Sequence, residues 1–275
     1  MLTIAQTLDL QQDAAVHKAT AVQSVGRFTV SAMFAGAYIG VGVVLMVCTA
    51  GPLIAAGDGM AKLVSGLVFG VALTIVVFAG GDLLTSAMMT LTQGALMRVV
   101  SWWRWALVLA ATFVANLLGA VVFAGLVVVS GVLESNAPAG AMIADMLAAK
   151  AHETPAEMFV RGILCNVLVC LAIWMCARVK SEIAQIALIF AAILAFISSG
   201  FEHVVANMTT YSIGLFTGDP HATLGGMAVN LLCVGAGNLV GGGAVVGAGY
   251  WFLGGSPRVL PASVTALPGA AHAHD

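Results

Sequence analysis

Six stretches of apolar residues, each at least about as long as the ~20 that cross a bilayer core, set the terms for this chain. A soluble fold cannot bury six such segments, because it lacks the charged surface to cover them. Only ten basic and twelve acidic residues occur among 275, or 8% charged, where globular domains carry about 25%. The formal net charge is −2, so the chain has no basic face for nucleic acid. Its five cysteines (48, 165, 170, 176 and 233) lie in apolar segments without C-x-x-C spacing, as small buried hydrophobes do. Disorder and a disulfide-stapled secreted fold are excluded on the same grounds. The class that fits is an all-α integral membrane protein.

The first apolar run extends from Phe28 to Ala50 and the second from Leu63 to Met97, too long and too broken for one helix. The third, Trp105 to Val132, follows the interfacial aromatics Trp102 and Trp103. The fourth covers Met158 to Cys176. The fifth, Ile183 to Phe216, is again over-long and interrupted, and the sixth spans Thr223 to Leu253. With a cytoplasmic N-terminus, Lys18, Arg27, Arg98, Arg104, Arg178, Lys180 and Arg258 lie inside, and Lys62, Lys150 and Arg161 outside. That bias satisfies the positive-inside rule and predicts six spans with both ends inside. Residues 1–26 contain Asp9 and Asp13 and no basic start, so they read as a cytoplasmic amphipathic helix rather than a signal peptide. Residues 27–254 form the transmembrane domain, and 255–275 read as a disordered cytoplasmic tail.

The halves share short signatures. Asn116-Leu117-Leu118-Gly119-Ala120 compares with Asn238-Leu239-Val240-Gly241-Gly242, and Gly81-Asp82 with Phe201-Glu202, at nearly one offset. Three spans per half make the repeats inverted. Broken helices in corresponding positions of inverted repeats point to a transport site near the midplane.

Two intramembrane stretches hold the unusual residues. Gly80-Gly81-Asp82 precedes Leu83-Leu84-Thr85-Ser86, and Ser198-Ser199-Gly200-Phe201 precedes Glu202-His203 with Asn207 just beyond. An ionisable group within a span is costly unless it faces a cavity or a partner, so both breaks are candidate functional sites. Asp82 and Glu202 are expected to cap the half-helices that follow or to fix the loops at the breaks, and the free N–H groups and positive dipole ends there would favour an anion. Asn166 in the fourth span reads as an interhelical hydrogen-bonding group. Lys150, in the loop before that span, reads by itself as an ordinary solvated charge.

Together these segments resemble the formate/nitrite transporter family. Arg161 to Met175 is similar to its fourth-span signature, Gly200 to Met208 to its fifth-span signature, and Gly81 to Ser86 to its second-span loop. The resemblance covers residues 25 to 253. It implies an aquaporin-like fold of six helices as two inverted three-helix repeats, with the second and fifth helices broken. It further implies a homopentamer in a bacterial inner membrane with one pore per protomer and no cofactor. Carried over by position, His203 matches the central pore histidine, Thr85 its partner, Glu202 and Asn207 the polar residues around it, and Lys150 the lysine at the outer mouth, with Asn166 kept in the pore set. Phe69, Leu73, Leu83, Val169 and Phe196 fall where the family places its apolar constrictions. By periodicity alone those five would be core or lipid-facing. Ser31 to Tyr38 and Ala206 to Thr209 look more like the nitrite branch, although Leu84 stands where formate channels often carry Phe.

The resemblance implies passage of a small monovalent anion, nitrite first and formate second, with His203 donating or sharing a proton. A neutral-solute channel would want paired Asn-Pro-Ala boxes, and Ala206-Asn207-Met208 is not one. An intramembrane enzyme would want several converging His, Asp or Glu residues, and Glu202-His203 is too sparse for a metal site. A structural scaffold gives no reason to place ionisable groups at two helix breaks.

Overall fold

A computed structural model describes residues 1–256. Those residues form twelve α-helices and one π-helix. Helix α1 spans Ile4–Ala21, α2 Val25–Ala55, α3 Ala61–Ala79, α4 Leu84–Leu96, α5 Trp102–Val129, α6 Val132–Ser135 and α7 Ala137–His152. Then follow α8 Pro155–Arg178, α9 Glu182–Ser198, α10 Val204–Thr217, α11 Leu224–Leu239, a π-helix Val240–Ala248 and α12 Gly249–Leu253. Five segments are long and apolar enough to cross a membrane: α2, α3, α5, α8 and the continuous stretch Leu224–Leu253. The apolar α9 is shorter, at 17 residues. Residues 257–275, most of the expected tail, lie outside the described residues.

Local sequence sets the helix starts. Thr3 and Thr154 each form a capping box, with Gln6 and Glu157 respectively, and Pro155 occupies the first helical position of α8. The hydroxyls of Ser101, Ser181 and Thr223 accept first-turn N–H groups of α5, α9 and α11. At two other points the chain must stop abruptly. Gly80 ends α3 at φ +81° and Gly200 follows α9 at φ +74°, a backbone region that β-carbons disfavour.

The over-long second and fifth apolar runs therefore divide into α3 with α4 and α9 with α10. Every residue of α4 except Leu96 is buried, as is the N-terminal half of α10 apart from Ala206. The amphipathic reading of the N-terminus becomes a docked helix: α1 turns Leu8, Gln11, Ala15 and Ala19 inward. Thr90 on α4 donates to Gln11 Oε1 at 2.9 Å, and Arg178 at the end of α8 donates twice to the Leu2 carbonyl at 3.0 and 3.1 Å.

The short signatures mark a repeated joint. Asn116 Oδ1 accepts the Leu84 N–H at 2.9 Å, while its Nδ2 donates to the carbonyls of Ala32 at 2.7 Å and Asp82 at 2.9 Å. Asn238 Oδ1 accepts the Val204 N–H at 2.9 Å, while its Nδ2 donates to the carbonyls of Gly162 at 2.7 Å and Glu202 at 2.9 Å. Each asparagine thus ties a helix start, the preceding link and a neighbouring helix with one amide. The glycine three residues later lets the backbones meet. A β-carbon at Gly119 would overlap the Met33 carbonyl, and one at Gly241 the Ile163 carbonyl.

Candidate functional site

Of the two structural roles expected for the acids, capping falls to other groups. Neither Asp82 nor Glu202 caps the half-helix after it. Leu83 stands at the N-cap of α4 without a side-chain bond, and His203 stands at the N-cap of α10, where its Nδ1 accepts the Ala206 N–H at 3.2 Å. The first N–H of each half-helix goes to Asn116 or Asn238. Both acids are occupied instead by lysines from outlying helices. Asp82 takes Lys18 of α1 at 2.9 Å and the Ser31 hydroxyl at 2.9 Å. Glu202 takes Lys150 of α7 at 2.5 and 2.7 Å, and Asn207 Nδ2 at 2.6 Å.

Lys150 therefore departs from the sequence reading. It lies in the last turn of α7, not in a loop, and its side chain is 7% exposed. An ammonium so buried is held by its partner, because an unpaired charge there costs kilocalories. The reading missed α7 because its 16 residues are too short for a span.

His203 is 4% exposed and stacks on Phe196 with ring centroids 6.0 Å apart. Its Nε2 lies 3.1 Å from Thr85 Oγ1. Because Nδ1 accepts a backbone N–H, the neutral ring carries its proton on Nε2 and donates to Thr85. Imidazolium would need a proton on Nδ1, breaking the cap and setting a cation at the positive end of α10.

Asn207 spends both amide hydrogens, on Glu202 and on Asn230 Oδ1 at 2.8 Å. Its carbonyl oxygen is what remains for other partners. Lys150, Glu202, His203 and Asn207 line one cavity of about 360 Å³, together with Phe69 and Phe196. A second cavity, of about 540 Å³, reaches Gly80, Gly81 and Asp82 beside His17 and Lys18. Phe69, Leu73, Leu83, Val169 and Phe196 are all at most 2% exposed, and Phe69 meets Phe196 edge-on at 5.9 Å. Asn166 commits its Nδ2 to the carbonyls of Asn238 at 2.7 Å and Thr85 at 3.1 Å, so it fixes backbone around the site and does not line either cavity.

A family model described as Formate/nitrite transporter matches residues 5–252. The chain belongs to this family. A relative, the nitrite transporter NirC of Escherichia coli strain K12, is 40% identical over 227 residues, 82% of each chain. Among solved structures, one titled an FNT family ion channel superposes with a TM-score of 0.83 at 35% identity, covering 90% of this chain and 98% of that one. Another, titled a pentameric formate channel with formate bound, gives 0.73 at 27% identity, with 85% and 98% covered.

Several residues of this formate/nitrite transporter escaped the sequence reading as site groups. Asn116 and Asn238 stood only as repeat markers, though one Asn at the same place in both repeats was itself a signal. Lys18, Asn230 and Glu153 carried no signal beyond charge or polarity, and Arg161 stood only as the first residue of the fourth-span signature. Glu153, in the link between α7 and α8, accepts from Arg161 at 2.6 Å. Burial, and then the neighbouring Glu202 carboxylate, push its carboxyl above the usual range.

Proposed function

We propose that this protein is a membrane channel or proton-linked transporter for a small monovalent weak-acid anion, nitrite first and formate second. In this reading the chain crosses the bilayer six times as two inverted three-helix repeats, with α3–α4 and α9–α10 as the broken crossings. Residues 27–254 form the channel domain, residues 1–26 a cytoplasmic helix, and five copies assemble in a bacterial inner membrane with both termini inside. The pairing of Lys18 with Asp82 and Lys150 with Glu202 supports the inverted arrangement, since each break meets a lysine from an outlying helix. The 40% identity to the nitrite transporter of Escherichia coli K12, against 32% to the formate channel FocA of the same organism, favours nitrite over formate.

The observation that carries the reading is His203 at the start of α10, with its Nε2 toward Thr85 and a phenyl ring stacked beside it. A bare anion loses hydration when it meets the apolar ring of Phe69, Leu73, Leu83, Val169 and Phe196. The Lys150–Glu202 vestibule admits it, and the Nε2–H of His203 with the Thr85 hydroxyl supplies replacement hydrogen bonds. Because Nδ1 is committed, the neutral ring shares its proton through Nε2 instead of giving it away. Passage of the protonated acid is then easiest, and the Asn207 carbonyl oxygen suits its O–H.

Flux of nitrite, formate, lactate and hydrosulfide into proteoliposomes at pH 5.5 and 7.5 tests this. Nitrite flux is expected to lead, to rise as pH falls, and to drop at least about tenfold in His203→Ala. Wild-type protein that conducts water but no nitrite would favour a neutral-solute channel. His203→Ala and His203→Asn with unchanged flux would remove the histidine from the mechanism.

A further inference from the structure

Glu153 has one carboxylate oxygen in an ion pair and one with no partner. Its Oε1 holds Arg161 Nη1, but Oε2 is buried without a hydrogen bond, and the side chain is only 8% exposed. A bare carboxylate oxygen in such a place is a costly arrangement that a proton would relieve. Glu153 lines the same cavity as Lys62, Lys150, Arg161, Glu202 and His203. The groups that face it are Lys150 from α7, Glu157 and Arg161 from α8, Glu202 from the link before α10 and Tyr211 from α10. Its chain neighbour His152 is exposed.

With every acid and base in that cavity ionised and His203 neutral, three cations oppose two carboxylates, a net charge of +1. The Lys150–Glu202 pair cancels internally. Glu153 cancels Arg161, leaving Lys62. Protonating Glu153 frees Arg161 and doubles the net charge to +2. A vestibule of net positive charge with apolar walls concentrates anions at its mouth, so the change acts on anion capture.

We propose that Glu153 is the titrating residue that sets how strongly the vestibule captures the anion, screening Arg161 when ionised and releasing it when protonated. The inference rests on the channel reading above. It places pH sensitivity in the vestibule, where a carboxyl can accept a proton, as His203 cannot do without losing its cap. The sign follows: burial and Glu202 both favour the neutral acid, so capture strengthens as pH falls through the raised pKa.

The test is the concentration dependence of nitrite uptake by proteoliposomes at pH 5.5 and 7.5, in low and high sodium gluconate. Wild-type protein is expected to show a lower apparent KM at pH 5.5. Glu153→Gln is expected to show that low KM at both pH values, about 3- to 10-fold below wild type at pH 7.5, with maximal flux little changed. High gluconate should shrink the difference, as screening demands. Glu153→Asp should keep the pH dependence. Glu153→Ala, read the same way, covers a Gln variant that does not assemble. A Gln or Ala variant with the wild-type ratio of KM between the two pH values overturns the proposal, as does one whose maximal flux collapses. Wild-type protein with no nitrite uptake sinks the channel reading instead.

Discussion

Replacing Asn238 by Ala deletes three hydrogen bonds at once and leaves nothing nearby to take their place. The Val204 N–H and the Glu202 carbonyl lose their partner at 2.9 Å. The Gly162 carbonyl lies within α8 and retains its helical bond, so it loses only a second donor. Two fully orphaned buried backbone groups, at ~1–3 kcal/mol each, and one weakened acceptor at ~1 kcal/mol give about 3–7 kcal/mol. Asn116→Ala removes the matching set from Leu84, Asp82 and Ala32 at the same distances, but the bond to the Asp82 carbonyl is only part-buried, so its loss should be similar or slightly smaller. At ~2–4 °C per kcal/mol for a chain near this size, each should melt at least about 6 °C below wild type. Thermal unfolding of purified protein in detergent, followed by tryptophan fluorescence, reads this directly. Two alanine variants melting within about 2 °C of wild type would refute the view that these amides hold the half-helix starts. A large drop for one and none for the other would refute their equivalence.

Three further perturbations bear on the packing and the charges. Lys150→Met strands the buried Glu202 carboxylate and should cost about 3–5 kcal/mol, most of it recovered in Lys150→Met with Glu202→Leu; a double-mutant cycle on melting temperature checks this. Gly119→Ala forces a β-carbon into the Met33 carbonyl and should cost roughly 2–3 kcal/mol, whereas Gly26→Ala, with open space around it, should leave the yield of folded protein unchanged. Lys18→Gln breaks an ion pair whose side chains are 21% and 23% exposed, so melting should fall by no more than the equivalent of about 1 kcal/mol.

Apolar periodicity and two glycine-acid breaks were enough to place the long apolar helices and the two interrupted runs, though not α7, because span length and helix termination are local properties. The spans predicted at Phe28–Ala50 and Met158–Cys176 fall inside α2 and α8, each of which runs a few residues further. Pairing was not legible. Nothing in the sequence says that Lys150 reaches Glu202 across 52 residues, or that Lys18 reaches Asp82 across 64. Those are tertiary facts, and they reversed the local reading in which an acid after a break caps the next helix. Asn116 and Asn238 show the middle case. Their repetition was visible, but the reason for it appears only when the link and the half-helix fold back on the same amide.

The two breaks share one frame and differ where chemistry needs them to. Gly80 and Gly200 turn the chain, Asp82 and Glu202 bind lysines, and Asn116 and Asn238 tie the ends, so the two joints are built alike. At the position after the acid the likeness fails: Leu83 in one half, His203 in the other. Leu83 leaves the start of α4 without a side-chain cap, while His203 caps α10 through one nitrogen and offers the other to Thr85. Two histidines would put two titratable rings near each other, and two leucines would leave a wholly apolar passage with no hydrogen bond to offset dehydration. One of each, in the proposed pore, keeps an apolar barrier against bare ions and gives a single polar contact at its centre. On the proposed reading, the duplicated frame positions the groups, and the difference between residues 83 and 203 sets what would pass between them.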